Sequence, residues 1–344
     1  MILLAANYHY VSAAPLPAGR AIFPTSAAEL EMQIRLLGEC FDFVSRDDLL
    51  DAVAGRRALP EYACVVTFDD GLRCQVEVAA PLLDSLGIPA IFFVSGQPLA
   101  EGRPQAVHLI HHLRDHTDDA DVMAVLEDIA PDAVARQRTL PLDLPGRMYR
   151  YDTVEAAWVK YLLAVTLPAD EVQSTCERLF CELVGSLDGF CEDLYMDAAQ
   201  VADLERASGA IGAHGFAHRP LRQLPLAAAH RDMVDGADVL ERVTGRRPRL
   251  MSYPYGSESA VDRAVADAAA SLGMDAGLSM ERSFNRSLDD PMLLARLDVN
   301  DMPGGSRPLF DLHTLDVVEP GMTSSRRRYI DESIYESTRI VASE

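Results

Sequence analysis

Lysine is almost missing from this chain: Lys160 is the only one in 344 residues, and arginine carries nearly all of the positive charge. The 31 basic residues face 53 acidic ones, for a formal net charge of -22. A field of that sign repels phosphate backbones and anionic lipid headgroups, so neither nucleic acid nor a membrane is an expected partner. Its plain consequence is solubility; the alternative is a cationic substrate such as a basic amino sugar. Paired cysteines are also lacking. Cys40, Cys64, Cys74, Cys176, Cys181 and Cys191 form no CxxC pair and no disulfide-framework spacing, and read as reduced, structural thiols. No stretch approaches the ~20 apolar residues of a bilayer span. The opening MILLAANYHYV has no charged segment, and its apolar run is short for a secretory leader, so the expected compartment is the cytoplasm.

What is present is an ordinary globular balance, 49% hydrophobic and 24% charged, in a chain long enough to bury a core without staples. Met1 to Ala6 reads as a buried strand running into Asn7, Tyr8 and His9. Ser26 and Glu29 form a capping-box pattern ahead of a helix to about Cys40, with Leu30, Ile34 and Leu37 at helical spacing. Ser45 and Asp48 repeat that pattern before Leu49, Leu50 and Val53. The run Cys64 to Phe68, a helix over 74–86 closed by Gly87, and the run Ile88 to Val94 make a βαβ unit, which implies parallel strands.

From 102 to 206 the pattern becomes helical, with segments at 108–114, 122–129, 154–165 and 172–183. The expected organisation is therefore a first barrel part over 1–101, a helical insertion over 102–206, a second barrel part over 207–320 and a polar tail over 321–344. In the second part, strands are expected at 210–213, 250–253 and 293–299, with helices at 226–243 and 261–272.

Three short segments carry chemistry. Asp69 and Asp70 follow a buried strand, with Gly71 for a sharp turn. Two adjacent carboxylates there are costly unless both are partnered, and neighbouring strand-end residues point different ways. His214 and His218 stand four apart after Ile211 to Ala213, a spacing that lets both imidazoles reach one cation. Together with one carboxylate they make a facial triad with open positions. The third segment, Tyr253-Pro254-Tyr255-Gly256, follows a further short strand.

In order and position these segments resemble the polysaccharide deacetylases, carbohydrate esterase family four. Thr67 to Gly71 is similar to that family's TFDDG motif, His214 to His218 to its HxxxH motif, and Tyr253 to Gly256 to an aromatic variant of its third motif. The resemblance implies an α/β fold, an irregular (β/α) barrel of the deacetylase type, here with a helical insertion that could form a lid. It implies a divalent metal, zinc or another first-row ion, on Asp70, His214 and His218. It implies Asp69 as the base that activates water and the Tyr255 N–H as an oxyanion donor. The implied activity is metal-dependent removal of an N-acetyl group from an amino sugar: a small glycoside, a nucleotide-linked sugar, a secondary-metabolite precursor or an oligosaccharide. The alternatives are hydrolysis of a non-sugar amide or cyclic imide on the same scaffold, and a non-catalytic binding module.

The pattern departs from the family in three places. Gly215 stands where Ser or Thr is common, removing a hydroxyl that could brace the loop. Ser252 stands where an arginine commonly orients the catalytic Asp, and Arg296 is the expected substitute from a neighbouring strand. The family's final Leu-x-His motif has no comfortable match. Its leaving-group acid is therefore unassigned among His313, His9, His108, His111 and His112. The oligomeric state is left open.

Overall fold

The computed structural model describes residues 1–15, 19, 21–141, 143–148, 153–168 and 170–316. The expected polar tail, 321–344, lies outside them. The chain divides into two compact units: Met1–Pro15, Thr25–Leu99 and the part from Tyr195 onward in one, Leu16–Pro24 and Ala100–Leu194 in the other.

The first unit holds strands β1 (Ile2–Tyr8), β2 (Val11–Ser12), β3 (Thr25–Ser26), β4 (Asp42–Phe43), β5 (Tyr62–Phe68), β6 (Ala90–Val94), β7 (Ile211–Ala213), β8 (Leu250–Ser252), β9 (Ala276–Leu278) and β10 (Leu297–Asp298). The main sheet runs β10-β1-β5-β6-β7-β8-β9, with β4 paired to the start of β5. Every pairing in it is parallel. Its edges approach one another through one segment. Leu294 bridges Leu278 of β9, and three residues later Leu297 pairs with Ala6 of β1. The sheet is thus a curled, irregular α/β barrel, the fold that the resemblance to the deacetylases implies.

Side-chain alternation sorts each strand between two cores. Leu4, Ala6 and Tyr8, Cys64, Val66 and Phe68, and Phe92 and Val94 pack outward with Leu30, Ile34 and Leu37 of the helix Ala27–Leu37. Leu3, Ala5, Ala63, Val65, Ile91 and Phe93 turn inward with Leu250, Leu278 and Leu294. Gly212 is needed beside them, because a Cβ there would run into the ring of Phe93. Both expected capping boxes form, Ser26 with Glu29 and Ser45 with Asp48. Gly87 and Gly245 close their helices in the left-handed conformation.

Four expectations change. The helix expected over 74–86 opens as a π-turn, Gln75–Ala79, before Ala80–Leu86, since Pro81 offers no N–H to the preceding turn. The strand expected over 293–299 shortens to Leu297–Asp298, because the Asn285 side chain takes both main-chain polar groups of Ala295. The helical unit ends near Leu194 rather than at 206. Helix Ala198–Ser208 joins the barrel unit, where Val201 enters the outer core and Glu205 accepts from Arg46 at 3.0 Å and from the Ile211 N–H. Leu16–Pro24 joins the helical unit, where Asp115 accepts the N–H of Ala21 at 3.1 Å.

That second unit has its own core, in which Leu109, Leu113, Leu126, Val134, Leu163, Leu179 and Phe180 interlock. A helix not expected from sequence, Pro131–Gln137, starts on a proline that its first turn tolerates.

Candidate active site

Along the barrel interior the inward-facing residues change from apolar to polar toward the C-terminal ends of the strands. On β1, Leu3 and Ala5 give way to Asn7. On β5 and its extension, Ala63 and Val65 give way to Thr67 and Asp69. On β8, Leu250 gives way to Ser252, and Leu294 is followed by Arg296. That end of a parallel barrel is where such folds place their chemistry.

Arg296 is fully buried and organises this layer. Its Nη1 and Nη2 donate to Asp69 Oδ1 and Oδ2 at 2.8 and 2.7 Å, a two-pronged pair. Its remaining hydrogens reach Asn7 Oδ1 at 2.9 Å, Ser252 Oγ at 2.7 Å and the Ser279 carbonyl at 3.2 Å. A guanidinium without water needs such a full set of acceptors. Ser252 Oγ in turn donates to Asp69 Oδ2 at 3.1 Å. Burial alone pushes the Asp69 carboxyl up, but the charge of Arg296, then His214, and the Arg296 hydrogen bonds together hold it down at about 2.

Asp70 is turned away from its neighbour by a left-handed backbone, φ +80°, and Gly71 continues the turn at +70°. Among the described residues the other non-glycine positions with positive φ are His218, Tyr255 and Leu315. Asp70, His218 and Tyr255 meet at one place, and each such conformation costs about 1–3 kcal/mol unless the surroundings enforce it. His214 Nε2 and His218 Nε2 lie 3.3 and 3.2 Å from Asp70 Oδ1. The Tyr255 ring stands edge-on to His218 with centroids 4.9 Å apart.

The donor set fits a divalent cation. One carboxylate oxygen and two imidazole nitrogens, all buried, lie within 4.8 Å of one another. His214 Nδ1 is 2.8 Å from the Ser252 carbonyl, which fixes the proton on Nδ1 and aims the Nε2 lone pair toward Asp70. Two borderline imidazoles with one carboxylate suit zinc and its first-row neighbours. Burial lowers the pKa of His214, yet Asp69, Asp70 and the Ser252 carbonyl outweigh it and raise the value. The local field therefore favours positive charge.

The histidines expected as acid candidates separate. His9 follows β1 directly, where the β1–β5 register sets it beside Asp69, and its charge favours the Asp69 carboxylate. Gln75 Nε2 ties the carbonyls of His9 and Asp69 together at 3.0 and 2.6 Å. His313 instead lies 3.7 Å from Cys40, just ahead of β4 at the N-terminal end of the sheet. His108, His111 and His112 belong to the helical unit, and His108 and His112 pack there against His111 and Phe190.

Sequence reasoning gave no role to Asn7, Thr67 and Ser279, which hold Arg296, or to Asp232, which accepts the N–H groups of Phe216 and Ala217. A polar residue closing an apolar strand was the available signal for Asn7 and Thr67. Asp232 is one acid among many on a helix surface pattern, and nothing local marks it.

Residues 188–277 match the family model described as polysaccharide deacetylase. That segment contains His214, His218 and Tyr255, while Asp69 and Asp70 come from outside it. No curated protein matches the chain in sequence. Solved structures are similar over most of it. The Streptococcus pyogenes deacetylase PplD, in complex with acetate, aligns at TM-score 0.53 and 12% identity, covering 87% of this chain and 92% of the other. IcaB from Ammonifex degensii gives 0.53 and 19%, covering 87% and 91%. A de-N-acetylase from Aggregatibacter actinomycetemcomitans gives 0.52 and 19%, covering 89% and 98%. At these identities the likeness is one of fold.

Proposed function

We propose that this chain is a metal-dependent N-deacetylase of an N-acetylated amino sugar, of the polysaccharide deacetylase family whose model matches residues 188–277. One observation carries the reading: a buried Asp-His-His donor set stands beside a second carboxylate that a buried arginine holds ionised. Asp70, His214 and His218 would hold the metal, with zinc the best match to the donors. A divalent cation there lowers the pKa of a bound water and polarises an amide carbonyl.

The protein's own groups divide the remaining work. Asp69, low in pKa, is ionised throughout the neutral range and free of competition from bulk protons. A carboxylate held that low is a weak base toward ordinary water, so its role depends on a water already made acidic. Arg296 and Ser252 fix the plane of the Asp69 carboxylate. The Tyr255 main chain is the candidate donor to the developing oxyanion. His9, beside Asp69, is the nearest acid candidate for the departing amine.

The preferred substrate is a small glycoside, a nucleotide-linked sugar or a short oligosaccharide. The test is acetate release by zinc-loaded protein from N-acetylglucosamine glycosides, N-acetylglucosamine oligomers and nucleotide-linked N-acetyl sugars, with a cyclic imide alongside. Acetate with a stoichiometric free amine is the expected result. Turnover of the imide alone would overturn the substrate class.

A further inference from the structure

Six main-chain polar groups of the loop that carries His214 and His218 are hydrogen-bonded to flanking elements. The His214 N–H donates to the Val94 carbonyl at 3.0 Å, and Ser95 Oγ donates to the His214 carbonyl at 3.1 Å. The carbonyls of Gly215 and Phe216 accept from the N–H groups of Gly96 and Gln97 at 3.0 and 2.9 Å. The end of β6, the Ser95 hydroxyl and the first turn of helix Gly96–Glu101 thus hold one side of the loop. The other side is held by one side chain: Asp232, buried on helix Leu226–Thr244, whose Oδ1 and Oδ2 accept the N–H groups of Phe216 and Ala217 at 2.8 and 3.2 Å.

Two glycines make this fit possible. Gly236, one turn along the same helix, has no room for a Cβ because the Gly215 carbonyl sits against it. At Gly215, with φ +68°, a Cβ would meet Asp232 Oδ1 at 2.7 Å. The carboxylate occupies the space that a side chain at 215 would need. It supplies from the helix the brace that a hydroxyl at that position could have given locally. Directly after these two N–H groups the chain enters the left-handed conformation of His218, which needs an enforcing partner.

We infer that Asp232 is a positioning residue for the metal site, clamping the His214–His218 loop so that both Nε2 atoms face Asp70. This rests on the metal-site reading above, and it adds a residue that touches neither metal nor substrate. Groups that orient ligands in this way typically change metal affinity by about 10–100-fold when removed.

The test is zinc affinity by competition with a chromophoric chelator, on wild type, Asp232→Asn, Asp232→Ala and His218→Ala, with circular dichroism and a zinc-free melting curve for each. Asp232→Asn keeps one acceptor for the Phe216 N–H. The expected order of affinity is wild type, then Asp232→Asn, then Asp232→Ala weaker than wild type by about 10–100-fold, with His218→Ala weakest. If Asp232→Ala does not fold, Asp232→Asn carries the test. A purely structural acid would lower the melting point and leave zinc affinity of the folded variants within about twofold of wild type, and that result overturns the inference. If wild type binds zinc but releases no acetate, the deacetylase reading falls while the clamp stands. If wild type binds no zinc, both fall.

Discussion

Arg296 and Asp69 are joined by two nearly equal hydrogen bonds, 2.8 and 2.7 Å, across 227 positions of sequence, and both side chains are buried. Removing one partner of such a pair leaves an uncompensated charge, which costs about 3–5 kcal/mol. Arg296→Ala is therefore expected to lower stability by that order. Arg296→Lys keeps the charge but loses the fork, and should fold better than the alanine variant while losing most of the activity. Because the fork grips Asp69 and not Asp70, zinc content of the lysine variant should stay near wild type. Melting curves, turnover and metal analysis on the two variants check this; loss of zinc from Arg296→Lys would break the separation between base and metal site.

The same pair makes stability depend on acid. The Arg296 guanidinium holds the Asp69 carboxyl down at about 2 in the folded protein, below the ordinary aspartate value of about 3.9. The unfolded chain therefore binds the proton first as pH falls. The contribution is fully present above about pH 4, is lost between about 4 and 2, and amounts to roughly 2 kcal/mol. Denaturation of the metal-free protein across that window should show a steeper acid loss in wild type than in Asp69→Asn. Parallel slopes for the two would contradict the assignment.

Much of this layout is legible in the sequence, because some residues declare their role locally. The run Cys64 to Phe68 ends in two acids and a glycine, and the capping serines stand three residues before their acids. Other elements are too short to leave a periodic signal: β4 has two residues, and β9 is Ala-Gly-Leu, with no β-branched residue. The Arg296 site was anticipated from a missing arginine at 252, but its acceptors Asn7, Thr67 and Ser279 depend on barrel closure, a non-local event. Asp232 is invisible for the same reason. Its role exists only once helix Leu226–Thr244 lies against the loop after β7.

Metal linkage gives a third expectation. A ligand that binds only the folded state at 100 times its dissociation constant stabilises it by about 2.7 kcal/mol. Zinc should raise the melting point of wild type in a concentration-dependent way and should leave His218→Ala and Asp70→Asn unmoved. Chelation should abolish turnover and zinc should restore it. A chelator-insensitive activity would exclude the Asp70, His214 and His218 assignment.

At Gly215 the backbone angle and the Asp232 carboxylate act together. Gly215→Ala places a Cβ in a left-handed residue and 2.7 Å from Asp232 Oδ1, so a loss of about 1–3 kcal/mol is expected. Gly55, left-handed too at φ +69° but with no atom within 4 Å of its absent Cβ, is the control. Its alanine variant carries the backbone term alone and should lose less. Equal losses in the two melting curves would show that the close approach to Asp232 adds nothing.

The two acid candidates in the barrel unit, His9 and His313, make the last prediction. His9 follows β1 at the C-terminal end of the sheet, and its charge acts on Asp69. His313 sits against Cys40 at the opposite end, with its N–H on Asp311. A group that protonates a leaving amine must reach the reacting bond, and proton transfer of this kind contributes about 10²–10⁴-fold. His9→Ala should therefore lower kcat by about 100-fold or more, with zinc affinity preserved, and should flatten the basic limb of the pH–rate profile. His313→Ala should leave kcat and KM as they are. Substrates with activated leaving groups need less help from an acid, so they should lose less rate in His9→Ala than a sugar amide does. An unaltered basic limb in His9→Ala would remove His9 from the chemistry and return its role to the hydrogen-bonded end of β1.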